Sequence, residues 1–443
     1  MNVGVIGAGY VGTTVAACLA EMGHQVTCVE RDPGRLAALQ EGRPPFHEPG
    51  LADLLHRQLT RRLRLVADLA AVRDDEVVFV AVGTPPGPGG EPDLSAVDEV
   101  VDTLAALSFG GVLALKSTVP VGTTARLERE LRRRGLLTAV ACNPEFLREG
   151  SAVRDFFRPF RIVIGSHSAR AVAVLRALYE QLDCPILVTD PATAEMIKHA
   201  SNAFLATKVS FVNEIAALCE AVGVDVAAVA EGMGLDPRIG PHYLRAGIGF
   251  GGSCLPKDLR ALVSTARARG VRPALLESVM EVNATQPARF AERVDRLVGG
   301  LAGKAVAVLG LAFKGGTSDV RESPALAVVR ALLNRGAVVR AFDPAAEAEA
   351  ARAVPAMVCC PTPYEAARGA EAVLILTDWP QFEVLDWERM GSLVGRRMVV
   401  DGRGLAGVRR AADHGFTYVG PSTPVPEAEV AVPAAARVDG GGS

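Results

Sequence analysis

The sequence predicts an α/β protein built from two Rossmann-like, doubly wound parallel-sheet domains joined by a long central helix and a helical segment. Three observations lead there. Over the first 190 residues, short apolar runs alternate with longer stretches of helical periodicity, the pattern of a parallel sheet with crossover helices. From Pro191 to about Gly300 the pattern is almost entirely helical. Strands then resume, and the second set opens on a strand, glycine turn, helix, strand unit that echoes the first.

In chain order, NVGVI (2–6) is a strand, GAGYVG (7–12) a glycine-rich turn, Val11 to Glu21 a helix and QVTCVE a second strand, together one βαβ unit. EVVFVAV (76–82), GVLALKS (111–117) and TAVACNPE (138–145) continue the strands, with helices near 94–107 and 122–134. RIVIG (161–165) and CPILVT (184–189) extend the sheet. The stretch 192–221 has no internal Gly or Pro and is the longest expected helix. KAVAVLG (304–310), VVRAFDP (338–344), AVLILT (372–377) and MVVDGR (398–403) form the second set; of the first unit's glycine fingerprint it keeps only Gly310. The expected division is 1–191, 192–300 and 301–420. A Pro/Ala/Gly/Ser-rich tail over 421–443 is expected to be disordered.

Composition narrows the function. The chain has 443 residues, with 47 Lys and Arg against 50 Asp and Glu. A net charge of −3 argues against a nucleic-acid surface. No uninterrupted apolar run reaches membrane-spanning length, and Met1-Asn2 lead straight into a strand, so a cytosolic protein without a membrane partner is expected. The eight cysteines include no CxxC pair, which favours reduced thiols over disulfides or a metal site.

The GAGYVG turn follows a strand and opens a helix. Gly7 permits the tight turn, Gly9 lets a pyrophosphate approach the backbone, and Gly12 packs helix on strand. Glu30, at the end of the second strand, can accept hydrogen bonds from an adenosine ribose and would repel a 2′-phosphate, which favours NAD over NADP; Arg31 beside it can tolerate that phosphate. In GFGGSCLPKD (249–258), Gly251 and Gly252 allow close approach to a ligand, and Pro256 suits a first helical turn. Cys254 then lies just before a helix N-terminus with Lys257 nearby; both features lower a thiol pKa and make Cys254 the expected nucleophile. Lys198 and Asn202 share one face of the long helix among apolar neighbours; either they mark a polar site or the Lys head reaches solvent. In NPEFLREGSA (143–152), Glu145 and Glu149 would face one side if that segment made a helical turn. In KSTVPVGTT (116–124), Thr118 sits at a strand end, where such sheets bind ligands.

GAGYVG, VGTPP, STVPVGTT, NPEFLREGSA, Lys198 with Asn202, RIGPHYLRAGIGFGGSCLPKD and FKGGTSDVRESP occur in that order, and over about residues 1–420 the chain resembles the UDP-glucose/GDP-mannose dehydrogenase family. It looks most like members that oxidise UDP-glucose. UDP-N-acetylmannosamine enzymes usually carry GGHC where this chain has Gly251-Gly252-Ser253-Cys254, and GDP-mannose enzymes GFAFGGSC where it reads GIGFGGSC, although LPKD is shared with the latter. The resemblance implies a four-electron oxidation of a primary alcohol to a carboxylate with two NAD⁺. A thiol at Cys254 would capture the aldehyde as a thiohemiacetal, whose oxidation gives a thioester that water hydrolyses. Lys198 and Asn202 would hold the developing oxyanion. Asp258 and Glu149 are carried over as acid/base groups around a water held by Thr118, with Glu145 as the second carboxylate; the base is left unassigned.

The resemblance also assigns the cofactor set Gly7, Gly9, Tyr10, Val11, Gly12, Glu30, Arg35, Thr84, Thr118, Glu149, Lys257 and Arg321. Its substrate set is Glu145, Phe146, Leu147, Lys198, Asn202, Arg238, Tyr243, Phe250, Gly251 and Lys314. Lys314 and Arg321 lie in the turn of the second βαβ unit and suit a pyrophosphate, Tyr243 and Phe250 either pack on the ligand or belong to the core, and Arg238 would reach a partner subunit's substrate. A homodimer or larger homo-oligomer is expected. The rival reading is a catalytically silent nucleotide-sugar-binding protein of the same fold.

Overall fold

A computed structural model describes residues 1–424 except Pro88; residues 425–443, and with them most of the expected disordered tail, lie outside the described residues. The N-terminal sheet has eight strands: β1 (Asn2–Ile6), β2 (Gln25–Val29), β3 (Leu63–Val66), β4 (Val77–Val80), β5 (Val112–Leu115), β6 (Ala139–Cys142), β7 (Ile162–Gly165) and β8 (Ile186–Thr189). Their order is β3-β2-β1-β4-β5-β6-β7-β8, so the chain starts in the middle and winds outward both ways. The C-terminal sheet holds β9 (Ala305–Leu309), β10 (Val338–Phe342), β11 (Val358–Cys359), β12 (Ala372–Ile375), β13 (Met398–Asp401) and β14 (Thr417–Val419) in the order β11-β10-β9-β12-β13-β14. The central strands are apolar on both faces because helices cover both; β4, β5 and β12 are buried at every position.

The expected parallel sheet is corrected at one place. β7 and β8 extend the first sheet, but β7 meets β6 antiparallel, at Cys142 opposite Gly165, while β7 and β8 run parallel to each other. An antiparallel return needs no full crossover helix. The connection is instead used by NPEFLREGSA, which leaves the end of β6 as irregular chain. The short strands β3, β11 and β14 escaped the sequence reading; they are partly exposed edge or near-edge pieces that lack a long apolar run.

Of the helices, those that carry or support the site are α1 (Tyr10–Glu21), α2 (Pro191–Val222), α3 (Leu255–Ala268), α4 (Ala274–Val298) and α5 (Pro324–Asn334). Asp190 caps α2 by accepting from the Thr193 N–H at 3.0 Å, Pro191 starts it, and Gly223 stops it with φ 73°. Residues 191–300 are less helical than expected: 235–254, with its glycine-rich loop, is turns and irregular chain. One face of α2 packs on α3 and α4. Another leaves Phe204, Phe211, Leu218 and Val222 exposed. Among the described residues, no helix is long and apolar enough to cross a membrane, and no group of three or more His, Cys, Asp or Glu is placed to hold a metal ion.

Candidate active site

At the end of β1, Gly7 has φ 95°, and a side chain on Gly12 would place Cβ 1.8 Å from the Gly7 carbonyl oxygen, so helix and turn fit only with glycines there. Gly9 differs. A Cβ on it would meet nothing within 4 Å, so no neighbour in the chain demands that glycine. The open space lies before the first N–H groups of α1, where a pyrophosphate is favoured. Glu30 is buried and uses both oxygens: Oε2 accepts from the Ala8 N–H and from Arg35 Nη1, each at 3.1 Å, and Oε1 from the Asp32 N–H at 2.9 Å. Arg31 turns to the surface and pairs with Glu99 at 3.1 Å, leaving Arg35 as the cation on Glu30. Tyr10 packs on Phe46, hydrogen-bonds Glu48, and its hydroxyl accepts from the Gly150 N–H at 3.0 Å. Val11 is half-buried beside it. Thr84 donates to the Thr118 carbonyl oxygen at 3.0 Å. These residues fit an NAD pyrophosphate and ribose.

Cys254 is the residue that caps α3, with Pro256 in the first turn as expected. Around it stand Lys198 and Asn202 from α2, Glu145 from the end of β6, and Asp258 from α3 itself. Lys198 is buried, which excludes a solvent-reaching head; its ammonium is 3.0 Å from Glu145 Oε1. Asn202 Nδ2 donates to Asp258 Oδ2 at 2.6 Å, and Lys257 lies 2.7 Å from Asp258 Oδ1 and 3.5 Å from Thr84 Oγ1. Burial opposes the charge on Lys198, but Glu145, Asp258 and Cys254 together push its pKa up to about 12. Burial also raises Asp258, but Lys257 and Lys198 outweigh it and hold the carboxyl below its usual range.

The expected thiolate is corrected. Burial, then the Glu145 carboxylate, push the Cys254 thiol up to about 11, against the pull of Lys198. The helix N-terminus is where the sequence put it, but two carboxylates face the sulfur and Lys257 is committed to Asp258. Glu145 and Glu149 also do not share a helical face, because 143–148 is irregular. Glu145 turns to Lys198, with Oε2 accepting from the Leu147 N–H at 2.6 Å. Glu149 turns to the other sheet: it accepts from Ser253 Oγ at 3.1 Å and Thr317 Oγ1 at 3.2 Å, and Arg321 Nη2 stands 3.7 Å away. Burial and the nearby Asp319 push Glu149 up to about 7, against Arg321 and Lys314.

The residues expected to meet substrate divide. Phe146 lies under the Arg161 guanidinium, 3.6 Å from ring centroid to Cζ, with Lys198 5.5 Å from the same ring. Tyr243 takes φ 64°, an uncommon backbone state for an aromatic residue, and is within electrostatic reach of Cys254. A Cβ on Gly251 would lie 2.1 Å from the Glu322 carbonyl oxygen, so that loop is pressed on the chain before α5. The Phe250 ring belongs to an apolar cluster with Ala203, Ala206, Leu259 and Val279, the core alternative. Lys314 is mostly buried, and burial lowers its pKa. Arg238 is exposed and bound to Asp236 rather than joined to this cluster.

Three contributors were missed. Glu48 ties Tyr10 to the N–H groups of Gly150 (2.7 Å) and Ala152 (2.8 Å). Ser253 and Thr317 donate to Glu149. Ser253 and Thr317 lie inside the GFGGSCLPKD and FKGGTSDVRESP motifs, but small hydroxyl residues there carry no signal of their own; Glu48 carries no local pattern.

Residues 1–183 match the NAD binding domain of the UDP-glucose/GDP-mannose dehydrogenase family, 192–285 its central domain and 307–407 its UDP binding domain. The chain is 46% identical to a UDP-glucose 6-dehydrogenase of Pseudomonas aeruginosa, covering 96% of this chain and 98% of the relative. A solved UDP-glucose dehydrogenase from Pyrobaculum islandicum superposes with a TM-score of 0.88 at 41% identity, covering 95% and 98% of the two chains. A UDP-D-ManNAc dehydrogenase from Pyrococcus horikoshii gives 0.83 at 29% identity, covering 95% and 99%. The cradle before α1, the thiol at the start of α3 and these matches over nearly the whole length place the chain in the UDP-glucose/GDP-mannose dehydrogenase family, as an NAD-dependent oxidoreductase.

Proposed function

We propose that the protein oxidises the primary alcohol of UDP-glucose to the carboxylate of UDP-glucuronate, by way of a thioester on Cys254. The observation that carries the chemistry is the ring of Lys198, Asn202, Asp258 and Glu145 around that thiol, next to the NAD cradle. The substrate is carried by the likeness to relatives named for UDP-glucose at 46% and 41% identity.

NAD⁺, when bound, supplies the hydride acceptor for each of the two oxidations. The chain's own residues do the rest. Cys254 adds to the aldehyde and keeps it from leaving between the two oxidations. Lys198, fully charged at neutral pH, and the Asn202 amide donate to the substrate oxygen as it gains charge; one such donor is typically worth about 3 kcal/mol of barrier. Asp258 holds Asn202, and Glu145 holds Lys198, so these carboxylates position the donors as well as offering bases. Thr118 and Glu149 complete the water site for thioester hydrolysis. Lys314 and Arg321 reach over from the second sheet for phosphate charge, Phe146, Leu147, Tyr243 and Gly251 shape the sugar side, and Gly7 to Gly12, Glu30, Arg35, Thr84 and Lys257 hold NAD.

A cytosolic homodimer is part of this reading. The exposed Phe204, Phe211, Leu218 and Val222 on α2 supply the apolar face, and a partner would bring the exposed Arg238 to a neighbouring site. Light scattering should give twice the monomer mass.

The test is NADH formation with NAD⁺ and, separately, UDP-glucose, GDP-mannose and UDP-N-acetylmannosamine. The expected result is two NADH per UDP-glucose, with turnover lost by roughly a thousandfold or more in Cys254→Ser. Turnover with GDP-mannose alone would overturn the substrate assignment, and no turnover with any of the three would overturn the activity.

A further inference from the structure

Ser253 stands between the loop glycines and the nucleophile. Its hydroxyl oxygen lies 3.6 Å from Cys254 Sγ and donates to Glu149 Oε1 at 3.1 Å. The Ser253 hydroxyl thus joins the thiol to the carboxylate, and a hydroxyl can accept from one neighbour while donating to the other. The other carboxylates near the sulfur are engaged. Glu145 accepts from Lys198 and the Leu147 N–H, and Asp258 from Asn202 with Lys257 beside it. Glu149 is held from the second sheet by Thr317 at 3.2 Å.

We propose that Ser253 is a further catalytic residue, relaying the thiol proton of Cys254 to Glu149 as the sulfur adds to the aldehyde. The inference rests on the thioester route above. The S–H bond breaks as Ser253 Oγ takes that proton and passes its own to Glu149. The C–S bond forms, and the carbonyl electron pair moves onto the substrate oxygen, which Lys198 and Asn202 hold. Nothing is oxidised or reduced in this step.

The two ends suit the transfer. A thiol raised to about 11 has almost no thiolate near neutral pH, so it needs an internal acceptor. A carboxylate at about 7 is ionised at slightly alkaline pH and still basic enough to take a proton. The titratable groups facing Cys254 are Glu145, Lys198 and Asp258, with Tyr243, Lys314 and Arg321 also within electrostatic reach; those facing Glu149 are Asp319, Arg321, Lys314 and Tyr10.

The test is iodoacetamide alkylation of Cys254 in the full chain without nucleotide sugar, read by mass spectrometry as a function of pH. It uses the wild type, Ser253→Ala, Ser253→Thr and Glu149→Gln, with thermal melting as the folding control. In the wild type the alkylation rate should rise as Glu149 ionises near its pKa of about 7. Ser253→Ala and Glu149→Gln should lose that step and alkylate roughly tenfold more slowly at mildly alkaline pH, whereas Ser253→Thr, which keeps the hydroxyl, should retain both rate and step. Wild-type rate and profile in Ser253→Ala overturn the relay. If that variant does not fold, an unchanged profile in Glu149→Gln overturns it instead. Failure of the wild type to turn over UDP-glucose would refute the substrate assignment and leave this measurement standing.

Discussion

Both sheets begin with a strand that ends on a left-handed glycine, Gly7 at φ 95° and Gly310 at φ 98°. Each glycine N–H reaches the end of the neighbouring strand, the Val29 carbonyl oxygen at 2.9 Å and the Phe342 carbonyl oxygen at 2.8 Å. Beyond that point the two turns part. In the first, Glu30 takes the Ala8 N–H, α1 starts at Tyr10, and the space around Gly9 stays open. In the second, Asp343 takes the N–H groups of Leu311, Ala312, Ala345 and Ala346 together with the Trp379 indole, so the turn is filled by the chain itself. Its helix α5 starts only at Pro324. The intervening loop instead runs to the first domain and delivers Lys314, Thr317 and Arg321 to Glu149. One βαβ plan thus serves as a dinucleotide cradle in one copy and, in the other, as an anchor for an arm that completes the neighbour's site.

That contrast can be broken most sharply at the glycines. A Cβ on Gly310 would lie 1.4 Å from Thr377 Oγ1 at a φ that L-residues avoid, so Gly310→Ala should cost about 3 kcal/mol or more and appear as a lowered melting temperature or insoluble protein. Gly9→Ala meets no neighbour and should melt close to wild type, while raising KM for NAD⁺ by roughly ten- to a hundredfold through a clash with the pyrophosphate. A Gly9→Ala enzyme with unchanged KM would mean that the open space is not the cradle. The acids come next. Asp343→Ala leaves several buried N–H groups without an acceptor and should cost about 2–3 kcal/mol with little change in KM for NAD⁺. Glu30→Ala should raise that KM roughly tenfold at a smaller cost in stability. Equal effects of the two changes on KM would erase the distinction between the turns.

The sequence exposed the first turn better than the second. GAGYVG with Glu30 is a local pattern, and both sheets announced themselves through continuous apolar strands. Gly310 was visible too, but the closure of its turn depends on Thr377 and Asp343, far apart in sequence and without a shared pattern. The same limit applied at the nucleophile. The helix start at Cys254 is written in Pro256, whereas the thiol's protonation depends on Glu145, Lys198 and Asp258, brought together by β6, α2 and α3. Local spacing suggested that Glu145 and Glu149 would point the same way. The irregular backbone after β6 sends one to Lys198 and the other to the arm from the second domain.

The smallest effect reads that arm directly. Glu149 has its pKa raised to about 7 in the folded chain, first by burial and then by Asp319, against about 4.3 for a free glutamate. A carboxyl with a raised folded pKa binds its proton more tightly in the native state, so its favourable contribution is complete below the unfolded value and is lost as pH rises through the folded one. The unliganded wild type should therefore lose melting temperature, relative to Glu149→Gln, between those two values. The variant should melt close to wild type only at about pH 4, below the unfolded value, and a few degrees higher at mildly alkaline pH, since a kilocalorie shifts a chain of this size by roughly 2 °C. If the two melting curves stay parallel across that window, Glu149 is not buried against the second domain's arm, and Lys314, Thr317 and Arg321 do not complete the site of the first.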